Sequence, residues 1–458
     1  MSQSAASYET SQYRKMTETP VPRLILSLAV PTIISMMVTN LYNTADTWFV
    51  SRLGTSAAGA VSIVFSLMAI YQAIGFMFGH GAGSNISRKL GAKHFDEAKK
   101  FASTSFFLSI AVSAAVSAAG LVFMNPLLRA LGSTKTILPY ARQYVFWILL
   151  SGPFLSVSCV LNNILRYEGH AAYAMVGLTT GGILNLAGDP ILMFGFGLGV
   201  SGAGLSTALS QVVSFLILLF MFRRDDVVSE FHVRNISRSG VLVGSIIATG
   251  MPSLVRQSLN SLTTIVLNHQ AAVYGDAAIA AMGIVAKVTA FLASIAIGIG
   301  QGYQPVASFN YGAGRYGRVR KGFRFTSSSG TALVGGFALL CAVFSPEIIR
   351  WFRDDPEVVA IGAAALRWQS LSGLFMSYSI TAGMLFQSTG VSGRATFLSA
   401  LRAGILFLPL ILILPAVFGL TGIETAQPAA DILSTLISIP ITEAFLAGLK
   451  KAGTDGWS

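Results

Sequence analysis

Apolar residues fall along this chain in long runs, each closed by a short polar, glycine or proline break. A helix that crosses hydrocarbon needs about 20 mostly apolar residues, and about twelve runs qualify: 24–50, 57–83, 98–122, 138–158, 172–195, 202–222, 243–270, 278–305, 321–344, 360–385, 395–418 and 426–449. The pattern predicts an all-α integral membrane protein of twelve transmembrane helices, with no stretch long enough for a separate soluble domain. The polar first twenty residues lack a cleavable signal pattern and lead into a run too long for a signal core, so the first helix is expected to be retained.

Laid on itself, the chain repeats. At an ungapped offset of 221, Pro31 falls on Pro252, Gly54 on Gly275, Gly79 and Gly81 on Gly300 and Gly302, and Ser87 on Ser308. Further on, Gly91-Ala92 meets Gly312-Ala313, Leu150-Ser151-Gly152 meets Leu371-Ser372-Gly373, and Gly169 meets Gly390. Matches at Gly and Pro, where backbone geometry is constrained, are hard to obtain from shared hydrophobicity alone. The expected organisation is a cytoplasmic tail at 1–22, a six-helix bundle at 23–222, a cytoplasmic linker at 223–242, a second six-helix bundle at 243–451 and a tail at 452–458. Six is even, so both bundles run the same way across the membrane, related by an axis along its normal, with a cavity between them.

Composition agrees: 53% of residues are hydrophobic and 11% charged. The formal net charge of +12 raises the question of nucleic acid, but the placement of the charges answers it. About 21 Lys and Arg fall in the tails and the even-to-odd loops and about five on the opposite face, which puts both termini in the cytoplasm. No aromatic-interleaved basic face accompanies the clusters, so they read as topology signals facing anionic headgroups rather than nucleic acid. Cys159 and Cys341 have no CxxC or Cys/His spacing and read as core residues. The run Gly79-His80-Gly81-Ala82-Gly83 has the glycine density of a phosphate loop, but it follows a membrane helix and has no GK[ST], so no nucleotide or other cofactor is expected.

The chemistry gathers in the first half. Asp46 closes the first apolar run, and an ionised carboxylate in hydrocarbon costs several kcal/mol unless paired, hydrated or protonated. At about 1.5 Å per residue, Asp46 lies in the outer half of the bilayer, about 22 residues past Leu24. Asp189 stands about 17 residues above the start of the fifth helix, and Thr207 about five below the top of the sixth, at similar depth. Asn185 is one turn below Asp189 on the same face. Two carboxylates, an amide and a hydroxyl in a desolvated pocket make an oxygen-rich Na⁺ site or a pair able to carry a proton. The structural alternative is that each Asp only caps or hydrogen-bonds a neighbouring helix. The offset pairs Asp46 with Leu267 and Asp189 with Leu410, so the acidic site is not duplicated.

The stretches NLYNTADTWFVSRLG, NLAGDPILMFGFGLGVSGAGLSTALSQ, GMPSLVRQSLNS and GDAAIAAMGI through QGYQPVASFNYGA resemble the MATE (multidrug and toxic compound extrusion) family, DinF/MepA-like branch, from about Met16 to Lys451. The resemblance implies a cation site at Asp46, Asn185, Asp189 and Thr207, and cavity positions at Tyr42, Tyr144 and Asn162. Tyrosines also serve in cores and at membrane interfaces, and that reading stays beside the first. Arg256 and Gln257 in helix 7 and Lys287 in helix 8 either line an inner cavity or hold helices together. Met282 suits an adaptable pocket or ordinary packing.

The expected function is that of a cation-coupled antiporter. It would export organic, cationic or amphipathic compounds in exchange for Na⁺ or H⁺, as a monomer in the inner membrane of a prokaryote. A flippase for a lipid-linked or other amphipathic substrate has related architecture, but it would carry basic side chains in its main cavity, where this first half is acidic. No HExxH, no GxSxG and no paired acid-base set at an aqueous interface points to an enzyme.

Overall fold

Among the described residues twelve long helices follow one another, most of them joined by short turns, with the longest connections after the third and the sixth. A computed structural model describes residues 12–454. The helices are α1 Val21–Ser51, α2 Thr55–Gly91, α3 Phe95–Val122, α4 Leu138–Tyr167, α5 Ala171–Pro190 and α6 Gly199–Met221 in the first half. In the second half they are α7 Gly240–Ala272, α8 Asp276–Gly312, α9 Tyr316–Val343, α10 Pro356–Thr389, α11 Ser392–Phe418 and α12 Leu420–Thr454. Ten of these are long and apolar enough to cross a membrane; α5 and α7 carry too many polar residues to meet that standard on composition. Several helices outrun their apolar stretches. The GHGAG run is not a loop but buried helix in α2, which continues through Ser84 to Gly91.

The repeated glycines occupy repeated backbone geometry. Gly54 and Gly275 precede α2 and α8 at φ 112° and 95°, and Gly169 and Gly390 follow α4 and α10 at φ 93° and 80°. Only a residue without Cβ visits that region freely, which is why these pairs survive in both halves. At the start of α10, Asp355 caps the helix by accepting from the N–H groups of Glu357 and Val358 at 3.0 and 3.2 Å, with Pro356 in the first turn.

The helices sort into two compact units that do not follow the sequence halves strictly. One holds Ile34–Leu254 with the short helix Tyr13–Glu18; the other holds Thr19–Ile33 and everything described from Val255 onward. The change of unit falls just after Pro31 in α1 and just after Pro252 in α7, each a helix-interior proline that removes a backbone donor. In the first unit the N-terminal end of α7 lies so close to α2 that a Cβ on Gly81 would stand 2.1 Å from the Ile246 carbonyl oxygen. In the second, a Cβ on Gly302 would stand 2.6 Å from the Ala29 backbone nitrogen in α1. Gly81 and Gly302 are one position of the repeat, and each admits the first helix of the opposite half.

The connection after α6 is sewn to the first unit. Glu168, buried in the turn between α4 and α5, accepts from the N–H groups of Val228 and Ser229, both at 2.9 Å. Lys99 pairs with Glu230 at 2.7 Å, Tyr173 donates to Asp226 at 2.9 Å, and His170 meets the Asp226 carbonyl at 3.0 Å. Burial pushes the Glu168 carboxyl up to about 7 although Ser229 and the Val228 N–H pull the other way. Burial likewise lowers His170 to about 4, against the attraction of Asp226.

Candidate functional site

In the first unit, small residues bring α5 against its neighbours. A Cβ on Gly182 would stand 2.9 Å from the Tyr42 ring of α1, and one on Gly188 would stand 2.5 Å from Ser206 Oγ of α6. A π-helical turn, Ile191–Gly195, follows directly on Asp189 and Pro190. Such turns insert a residue into the helical ladder and recur at functional sites.

Asp46, Asn185, Asp189 and Thr207 are all buried, and the fold brings them together. Tyr144 Oη donates to Asp46 Oδ2 at 3.3 Å and also faces Thr207 and Asp189. The Asn185 amide donates to Asp189 Oδ1 and to Thr207 Oγ1, both at 3.2 Å, and reaches Ser206 Oγ at 3.5 Å. Ser206 Oγ in turn donates to the Asn185 carbonyl at 3.3 Å. Asp46 Oδ1 and Asp189 Oδ2 have no hydrogen-bond partner among the described residues. The two carboxyls lie within hydrogen-bonding reach of each other once one of them holds a proton. Two ionised acceptors cannot bond one another, so a proton or a cation between them is what would satisfy both. As oriented, Asn185 offers N–H to the carboxylate; turning the amide over would present Oδ1 to a metal ion instead.

The predicted cavity residues divide. Tyr42 and Asn162 line a chamber of about 90 Å³ beside this cluster, together with Asn185, Gln72 and Gln211. Asn162 spends its amide on the Ala174 carbonyl at 3.1 Å. Tyr144 is not on that wall; it is fully buried against Asp46. Ser206 escaped the sequence reading, since a serine one residue before Thr207 has nothing in sequence to say that it faces α5.

The second unit holds a larger chamber of about 290 Å³, and Arg256 and Met282 line it. Gln257 does not share that wall, and Lys287 and His269 are exposed. Where the first half has its acids, this half has an ion pair. Arg402, in the π-helical turn Leu401–Leu406 of α11, holds Asp431 of α12 through Nε at 2.5 Å and Nη2 at 3.2 Å. Gln427 adds a bond to Asp431 at 2.8 Å. Neither member of this pair stood out in sequence, because Asp431 lies outside the offsets of Asp46 and Asp189.

These features define a multi-pass membrane protein built from two repeated six-helix halves, with an acid pair buried in one and a basic-walled chamber in the other. The MatE family model matches the chain twice, over residues 31–191 and 252–413, starting 221 residues apart as the internal repeat does. The chain belongs to the MATE family. The multidrug export protein MepA of Staphylococcus aureus (strain MSSA476) is 29% identical over 429 residues, 93% of this chain and 94% of that protein. MepA of Staphylococcus haemolyticus (strain JCSC1435) is 26% identical over 423 residues, 92% and 93% of the two chains. The fold matches an outward-facing multidrug resistance MATE transporter of the MOP superfamily with a TM-score of 0.90 at 23% identity, covering 96% of this chain and 99% of that one.

Proposed function

We propose that this chain exports organic, cationic or amphipathic compounds across the cytoplasmic membrane of a prokaryote, with both termini in the cytoplasm, driven by Na⁺ or H⁺ moving inward. The observation that carries this reading is the acid pair: two buried carboxyls from different helices, each with one oxygen lacking a partner among the described residues. The membrane fold and the similarity to MepA proteins support it.

The mechanism follows from charge. When a proton or Na⁺ sits between Asp46 and Asp189, their repulsion is cancelled and α1, α5 and α6 pack closely around Asn185, Thr207 and Tyr144. When it leaves, two like charges in a desolvated place repel, and the chamber walled by Tyr42 and Asn162 widens. An organic cation neutralises the same charge, so substrate and coupling ion compete for one site, and their different affinities for the two states drive exchange.

The test is dye efflux from proteoliposomes under an imposed Na⁺ or pH gradient, comparing Asp46→Asn and Asp189→Asn with the parent. Both variants are expected to lose gradient-driven efflux, and the gradient that drives the parent identifies the ion. Parental rates in both variants would refute the assignment.

A further inference from the structure

The repeat pairs α9 of the second half with α3 of the first, and the two helices differ in what covers them. Lys99, Ser103 and Thr104 of α3 stand 221 residues before Arg320, Arg324 and Phe325 of α9. On α3 this face lies under the linker: Glu230 pairs with Lys99 at 2.7 Å, Ser103 donates to the Glu230 carbonyl at 2.7 Å, and the Ser237 N–H donates to Thr104 at 2.9 Å. On α9 the same face borders a cleft of about 460 Å³, with Pro22 at the start of α1 on its other side. Arg318 ties the two helix starts together by donating to the Thr19 carbonyl at 2.6 Å. The cleft wall carries three cations, Arg320, Lys321 and Arg324, and no carboxylate. Among the described residues the buried Nε of Arg320 has no hydrogen-bond partner, and none of the three cations forms an ion pair. The face that meets a carboxylate in the first half therefore offers three cations and no carboxylate in the second. Past these cations it turns apolar: Phe325 lines the cleft, and at helical spacing beyond it come Ala332, Gly336 and Leu339, all exposed.

We propose that this cleft binds the phosphate group of one anionic phospholipid, taken from the leaflet on the side of the membrane where α9 begins. Arg320, Lys321 and Arg324 hold the phosphate, Arg320 with the Nε–H that has no partner in the fold, and an acyl chain follows Phe325, Ala332, Gly336 and Leu339 toward the bilayer centre. The planar fork of an arginine matches two oxygens of one phosphate. A basic cleft continuous with an apolar groove selects a lipid over a free phosphate, which would leave the groove unused. A zwitterionic lipid is disfavoured, since its choline would bring a further cation to a wall without a carboxylate. Such a site differs from the diffuse attraction of exposed Lys and Arg to headgroups, which needs neither a cleft nor particular residues. Binding here does not depend on Asp46 or Asp189.

The test is native mass spectrometry of the full chain, released from a neutral detergent after titration with dioleoylphosphatidylglycerol or, separately, dioleoylphosphatidylcholine. The first phosphatidylglycerol is expected to bind roughly tenfold tighter than the first phosphatidylcholine. In the triple variant Arg320→Gln, Lys321→Gln, Arg324→Gln the phosphatidylglycerol is expected to fall to the affinity of the phosphatidylcholine, with phosphatidylcholine binding and the melting temperature unchanged as the check on folding. Lys100→Gln, Arg234→Gln, Arg238→Gln removes the same charge from exposed side chains of α3 and the linker and is expected to keep the preference. Gly317→Trp fills the cleft from a position where a Cβ meets nothing and leaves every charge in place. It is expected to weaken phosphatidylglycerol binding, and it carries the test if the triple variant does not fold. Equal binding of the two lipids, a preference that survives the triple variant or Gly317→Trp, or an equal loss in the Lys100, Arg234 and Arg238 control would overturn the proposal. Glycerophosphoglycerol, the same headgroup without acyl chains, is expected not to displace the bound lipid when added in excess; displacement would make this a site for free phosphate and overturn the lipid assignment.

Discussion

Removing the Glu168 side chain tests how the linker is held to the first unit. Its carboxyl accepts two buried N–H bonds, from Val228 and Ser229, each at 2.9 Å. Glu168→Ala strands both donors at about 1–3 kcal/mol each, and even the low end of about 2 kcal/mol in total means a ~30-fold loss of amide protection. The pH dependence is more searching. Glu168 rises from 4.5 to about 7 on burial, so its contribution is full below 4.5 and is lost as pH climbs through about 7, a change of ~3 kcal/mol. His170 falls from 6.5 to about 4, so its contribution is full above 6.5 and is lost as pH drops through about 4, again ~3 kcal/mol. Between roughly 4.5 and 6.5 the two slopes oppose each other, and opening of the linker is expected to be nearly independent of pH. Glu168→Gln should uncover protection that rises with pH, and His170→Gln protection that falls with it. Hydrogen–deuterium exchange at residues 226–232, expressed as protection factors, reads both. Parental slopes in the two variants, or full protection of Val228 and Ser229 in Glu168→Ala, would refute the reasoning.

Two further perturbations test packing. Gly81→Val places a branched side chain where even a Cβ would stand 2.1 Å from the Ile246 carbonyl oxygen, so it is expected to cost more than the usual 1–3 kcal/mol of overpacking and to lower the melting temperature in detergent, whereas Gly244→Val, which meets nothing, should not. Arg402→Met leaves the buried Asp431 carboxylate without its ion-pair partner and is expected to cost roughly 3–5 kcal/mol; Arg402→Met with Asp431→Leu should recover most of it, read by the same melt.

How much of this was legible beforehand varies by element. The helices were readable because hydrocarbon demands length and apolarity, and their ends were not, because buried polar stretches such as Gly79 to Gly91 extend the α2 helix beyond the bilayer pattern. The acid pair stood out because an ionised carboxylate among apolar residues is costly unless it is paired, hydrated or protonated. Ser206 and the Arg402–Asp431 pair did not, since whether a polar side chain faces a partner or not depends on the rotation of its helix. The linker showed only as a basic loop; that Glu168 anchors it could not be read from residues 60 apart.

By itself the sequence determined the twelve-helix membrane character, the duplication and the identity of the buried acids. These are properties of composition, spacing and offset, and each is set by local chemistry. Tertiary structure alone decided that the N-terminal ends of α1 and α7 exchange units, that Ser206 completes the acid cluster, and that one half holds an acidic centre and the other a basic-walled chamber. Those outcomes depend on which helix faces meet, and small residues such as Gly81, Gly182 and Gly302 allow those meetings without announcing their partners.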